Sequence, residues 1–166
     1  MLNILYVCLK LDMKIYRLET KQNLPISQAE AWDFLSNPIN LKRITPDYMD
    51  FKIINDVIKK MYAGQIIQYI VRPILGIPIK WVTEITHVEK PNYFVDEQRF
   101  GPYSLWHHKH FIKPTEKGVE MVDIVDYKIP LGFLGRIVHP LLVAPKLKEI
   151  FDYRKQALTE IFGPIS

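Results

Sequence analysis

The sequence predicts an α+β domain in which a meander of antiparallel strands packs against one long C-terminal helix. Three observations carry that prediction. Between Ile79 and Tyr127, stretches of alternating residue type recur, each followed by turn residues. Two short helical pieces stand directly after the first strand pattern. Near the C-terminus, Leu147, Ile150, Phe151, Leu158, Ile161 and Phe162 recur at helical spacing, with Arg154 inside the stripe.

Each element has a local cause. Lys14 to Leu24 sets Tyr16, Leu18, Thr20, Gln22 and Leu24 against Ile15, Arg17, Glu19 and Lys21, the alternation of a half-buried strand. Pro25-Ile26-Ser27 ends it, and Ser27 with Glu30 is a capping-box signature for a helix through Leu35. Asn37-Pro38 opens a second helical piece that stops near Thr45-Pro46. Strand patterns rich in Ile, Val and Tyr return at Phe51–Val57 and Gly64–Val71. The last helix is expected from Arg136 or Ile137 to Phe162, before Gly163-Pro164. Pro140 and Pro145 in its early turns predict a kink or a break, and His139 reads as a surface histidine at the helix start.

Two connections, Arg72 to Pro78 and Ile129 to Gly135, are unusually apolar. Loops normally face water, so the two suit a pocket rim, a dimer contact or a membrane-facing edge. Ile74-Leu75-Gly76-Ile77 and Leu131-Gly132-Phe133-Leu134 are expected together at one end of the molecule, as an entrance gate.

Turn positions set the register. Centring a hairpin on Glu116-Lys117 places His110 opposite Asp123, His108 opposite Val125 and Trp106 opposite Tyr127. A connection at Gly101-Pro102-Tyr103 places Gln98 opposite Trp106 and Asp96 opposite His108. A turn within Glu89-Lys90-Pro91-Asn92 places Ile85 beside Asp96, Thr83 beside Gln98 and Trp81 beside Phe100. Because side chains alternate across a strand, one face then collects Trp81, Thr83, Phe94, Asp96, Gln98, Trp106, His108, His110, Asp123 and Tyr127. Asp126 falls on the other face, as a lone surface carboxylate.

At 166 residues, with 48% apolar and 24% charged residues, the chain suits one domain with a core of its own. A formal charge of +4 spread along the chain, without a cationic run, argues against nucleic acid. There is no zinc-finger spacing, phosphate-binding glycine loop, dinucleotide fingerprint or nucleophile elbow, so no cofactor is expected. The single cysteine, Cys8, excludes an internal disulfide and fits a reducing cytoplasm. Met1 to Leu9 is apolar but too short to span a bilayer. A weak export signal, a membrane-brushing tail and an extra strand are alternatives, but residues 1–12 are best taken as an extension from start-codon choice, with a regular strand pattern beginning at Met13. The domain is then 13–166.

Trp81-Val82-Thr83-Glu84-Ile85, Phe94-Val95-Asp96-Glu97-Gln98, Gly101-Pro102-Tyr103, Trp106-His107-His108-Lys109-His110-Phe111, Asp123-Ile124-Val125-Asp126-Tyr127 and Phe151-Asp152-Tyr153-Arg154 carry a resemblance. In these motifs and in element order, the chain from Met13 resembles the helix-grip fold of the START-like (SRPBCC) superfamily. The similar branch is bacterial and is often labelled polyketide cyclase-like or cell-division-inhibitor-like; some members are fused to epimerase domains. The resemblance implies a curved sheet wrapped around the last helix with a ligand cavity between them. It carries no settled reaction.

Three readings of the histidine face follow. The first is a structural network, with His110 bonded to Asp123 and His108 to Asp96. The second is acid–base catalysis of the cyclase or dehydratase type, with His108 or His110 as base beside Asp123. The third is a zinc site, since His-x-His sets two imidazoles about 7 Å apart at Cα; it lacks a third ligand from outside the sheet. Arg154 is either a snorkelling arginine or a cation inside the cavity. The expected function is binding of a small hydrophobic or lipid-like molecule by Trp81, Thr83, Phe94, Asp96, Gln98, Trp106, His108, His110, Asp123, Tyr127 and Arg154, with no metal. An interaction module for an epimerase-like or division partner is the third class. Membrane contact, if any, is transient.

Overall fold

The computed structural model describes residues 14–56, 60–73 and 76–165. The N-terminal extension, the end of the second predicted strand at Val57, and Ile74-Leu75 of the first apolar loop lie outside the described residues. The chain runs β1 (Tyr16–Leu24), α1 (Gln28–Leu35), 3-10 turns at Pro38–Ile44 and Asp47–Met49, then β2 (Lys52–Ile53) and β3 (Gln65–Val71). It continues through β4 (Ile79–Glu89), β5 (Tyr93–Phe100), β6 (Leu105–Thr115) and β7 (Gly118–Lys128). The chain closes with α2 (Gly132–Val138), a π turn (His139–Val143) and α3 (Ala144–Phe162). All neighbours pair antiparallel in the order β1-β7-β6-β5-β4-β3-β2. This is the helix-grip α+β architecture: a curved sheet with the long C-terminal helix against its concave face.

Local chemistry explains the elements that frame the site. The Ser27 hydroxyl accepts from the Glu30 N–H, and the Glu30 carboxylate accepts from the Ser27 N–H, so the capping box closes and fixes the start of α1. Asn37 caps the first 3-10 turn by accepting from Ile39 N–H. The Gln22 amide donates to Lys155 C=O and Thr159 Oγ1, which ties β1 to α3 across the core. Leu24, Ile112, Val119 and Leu158, all essentially inaccessible, form the centre of that packing.

Several departures from the sequence reading follow from backbone detail. The β6–β7 pairing is as expected, with His110 opposite Asp123 and Trp106 opposite Tyr127. In β5–β6 Asp96 lies opposite His108 as expected, but the ladder ends at Glu97–His107, short of the expected Gln98–Trp106 pair. In β4–β5, however, Phe100 pairs with Val82 and not with Trp81, because Arg99 is an extra residue between the Thr83–Gln98 and Val82–Phe100 pairs. Phe100 is thereby left 71% exposed. The C-terminal helix starts earlier than Arg136, at Gly132. Leu131 and Gly132 take positive φ (71° and 49°), which turns the chain into α2. Pro140 and Pro145 do break the helix, and the break takes the form of the π turn between α2 and α3. The predicted second strand shrinks to Lys52–Ile53 among the described residues.

Gly118 holds the β6–β7 hairpin at φ 145°, where an added Cβ would sit 2.1 Å from Leu24 C=O. Gly118→Ala should therefore lower stability by about 1–3 kcal/mol. A shift in the urea midpoint checks this, and an unchanged midpoint would mean that the Gly118–Leu24 approach is not a constraint.

Candidate functional site

Between the concave face of the sheet, α3 and the first 3-10 turn lies a cavity of about 210 Å³. Its walls are almost wholly apolar. Phe34, Leu41 and Ile44 close one side, Ile67, Trp81 and Trp106 the sheet side, and Leu147, Ile150 and Phe151 the helix side. Tyr69, Trp81, Tyr103 and Trp106 form a ring cluster with centroids 4.9–5.9 Å apart.

One wall is charged. Alternation on β5, β6 and β7 brings Asp96, His108, His110 and Asp123 to the same face, and the α3 stripe delivers Arg154 opposite them. His108, His110, Asp123 and Arg154 are buried. The pairing differs from the expected one. His108 Nε2 bonds Asp123 Oδ1 at 3.1 Å and His110 Nε2 bonds Asp96 Oδ2 at 2.7 Å, so each imidazole reaches diagonally to the next strand pair. The directly opposite contacts persist as ion-pair distances, His108 Nδ1 to Asp96 at 3.4 Å and His110 Nδ1 to Asp123 at 2.9 Å, the latter outside hydrogen-bonding angles. Arg154 Nη2 stands 3.5 Å from Asp123 Oδ1. Arg154 is thus the cavity cation, not a snorkelling one.

The protonation pattern follows from this geometry. Burial pushes the Asp123 carboxyl up, but Arg154 and the two histidines outweigh it and hold it well below the usual range. Burial also pushes Asp96 up, and His108, His110 and Arg154 again reverse the direction. Burial lowers His110, yet Asp123 and Asp96 raise it overall. For His108, burial and the neighbouring His110 win, and it is lowered. The rings lie 3.7 Å apart, too close for two charges. With His110 protonated and His108 neutral, two carboxylates, Arg154 and one imidazolium would sum to zero.

The sign of each shift sets a pH dependence. The contribution of His110 is fully present below its ordinary value of 6.5 and fades as pH rises through its raised folded value. Those of Asp123 and Asp96 are present above the ordinary 3.8 and fade as pH falls through their lowered folded values. A melting-temperature profile should accordingly fall on the alkaline side of pH 6.5, and His110→Gln should flatten that limb. Equal alkaline slopes in wild type and variant would contradict a charged His110.

The cavity gathers eight of the eleven residues expected to line it: Trp81, Thr83, Phe94, Asp96, Trp106, His108, His110 and Arg154. Three stand behind its wall. Asp123 is the buried counter-ion of Arg154 and both histidines. Gln98 folds back on the β5–β6 connection, donating to Tyr103 C=O and accepting from Tyr103 N–H. Tyr127 shares the packing of Trp106, Leu147 and Phe151 and hydrogen-bonds His139 at 2.8 Å. His139 is accordingly no bare surface residue: it stacks on Tyr16 with centroids 3.6 Å apart. Tyr69 and Tyr103 were missed. Tyr69 was signalled by its place in β3, opposite Trp81, but the β3–β4 register was not read. Asp126 does face outward, yet it is paired with Arg17 at 2.7 Å and Lys109 at 2.9 Å and is no lone carboxylate.

Donor atoms of Asp96, His108 and His110 lie within 4.8 Å of one another, close enough for a divalent ion. The charge balance fits such an ion poorly, because Arg154 and the imidazolium already neutralise both carboxylates and a dication would add uncompensated charge beside Arg154.

No family model and no curated protein matches the chain. Solved structures do. CV1439 from Chromobacterium violaceum superposes with a TM-score of 0.69 at 8% identity, covering 89% of this chain and 97% of that one. TTHA0849 from Thermus thermophilus gives 0.66 at 14% identity, over 87% and 95%. Ara h 8.0201 gives 0.60 at 13% identity, over 89% and 99%. At these identities the likeness shows a shared helix-grip fold.

Proposed function

We propose that this protein binds a small, neutral, largely apolar molecule between the sheet and α3. The observation that supports it most is the combination of apolar walls with buried donors, Trp81 Nε1 and Arg154 Nε among them, that have no hydrogen-bond partner among the described residues. An unmet buried donor costs about 1–3 kcal/mol, so a ligand with one acceptor, such as a carbonyl oxygen, would relieve it. Neutrality follows from the balanced charges of the wall, since an ionised ligand would bring uncompensated charge into an apolar cavity. Cysteine usage favours the cytoplasm as the place of action.

Base catalysis is the weaker reading. All four imidazole nitrogens already lie 2.7–3.4 Å from an aspartate oxygen, and a base must turn a free lone pair toward substrate. His108→Gln should thus reduce stability and binding, with no turnover to remove. Native mass spectrometry of the protein from cells, before and after solvent extraction, tests the main reading. The expected result is a small neutral adduct that extraction removes; a chain of bare mass in both spectra would count against it.

A further inference from the structure

The connection after β7 exposes more apolar surface than water tolerates cheaply. Leu131, Phe133, Leu134 and Leu141 are 75%, 69%, 63% and 77% exposed, and Ile137 is half-exposed beside them on α2. Isolated exposed leucines are ordinary, but this run within one turn-and-helix segment is a patch. Its charges are one-sided. From Tyr127 to Lys148 there is no acidic residue, while Lys128 and Arg136 lie within it. Lys14 joins them, for Lys14, Lys128 and Arg136 line one small cleft together with Gly132 and Gly135.

The patch also stands at a particular end of the sheet. Antiparallel pairing puts the end of β7 beside the start of β6, and the end of β5 beside the start of β4. Exposed Phe100 and Ile77 belong to that same end, and Pro73, Pro102 and Tyr103 line the cavity there.

We infer that α2 and its flanking turns dock on an anionic lipid bilayer, with Leu131, Phe133, Leu134 and Leu141 in the interface and Lys14, Lys128 and Arg136 on the headgroups. An apolar face rimmed by cations is the chemistry that an anionic interface recognises. A second copy of the chain fits less well, because a twofold contact through this segment would set the cations of one copy against those of the other, and Tyr127 to Lys148 contains no acidic residue to meet them. No helix among the described residues is long and apolar enough to cross a membrane, so the contact is superficial. This inference stands whether or not the cavity holds a ligand.

The full chain is to be sedimented with phosphatidylcholine vesicles, with and without phosphatidylglycerol, and its mass in solution measured in parallel. Binding is expected only with phosphatidylglycerol, weakening as salt is raised. Phe133→Ser/Leu134→Ser should reduce it by roughly tenfold or more, with an unchanged melting temperature because both side chains already face solvent. Lys128→Glu should weaken binding to the anionic vesicles. No binding by wild type, equal binding by the serine variant, or a wild-type dimer that the serine variant dissociates would each overturn the proposal, the last by assigning the patch to a second copy.

Discussion

Asp123→Asn is expected to cost about 3–5 kcal/mol of folding stability, the range for removing one member of a buried ion network. Asp123 lies between His108, His110 and Arg154, and all three are buried. An amide cannot balance the Arg154 guanidinium, so that charge is left in an apolar wall. Asp126→Asn supplies the contrast. Asp126 faces the convex side with Arg17 and Lys109, and a pair near water contributes at most about 1 kcal/mol. Urea denaturation of both variants compares the two directly. Equal midpoints would remove Asp123 from its central place. Adding Arg154→Met to Asp123→Asn should restore part of the loss, because the orphaned cation goes with it.

A second large effect is expected from Ile150→Trp. Ile150 stands on the helix side of the cavity and is only half-buried. An indole there would occupy much of the roughly 210 Å³ available at a packing cost of about 1–3 kcal/mol. Affinity for a neutral probe such as 2-acetylnaphthalene should fall by roughly a hundredfold or more, since the ligand and the indole claim the same space. Trp81→Phe keeps one aromatic ring and removes the Nε1 donor with the pyrrole half of the indole, so about a tenfold loss is expected for a carbonyl probe. Calorimetric titration reads both. Unchanged affinity in Ile150→Trp would place the probe elsewhere.

The charged wall was legible in the sequence to an unusual degree, because strand alternation and one correctly centred hairpin at Glu116-Lys117 decide which residues share a face. His110 opposite Asp123 and His108 opposite Asp96 followed from counting. The diagonal hydrogen bonds did not, since the choice between two carboxylates at similar range is made by ring rotation after the strands have paired. Arg154 was visible as a charge interrupting an apolar stripe, but which way it turned depended on the burial of Asp123. The bulge at Arg99 left no local mark, neither glycine nor proline, so Phe100 was assigned to the wrong partner. Gly132 and Gly135 made α2 look like a loop. Gly135 instead permits close packing, as an added Cβ would lie 2.3 Å from Pro130 C=O.

Crystals of the protein grown with 2-acetylnaphthalene test the central claim most directly. The account predicts one ordered molecule per chain between α3 and the sheet, its naphthalene against Trp106 and Phe151 and its carbonyl within hydrogen-bonding reach of Trp81 Nε1 or Arg154 Nε. A cavity that stays empty at saturating probe, or density confined to the outer face of α2, would contradict it.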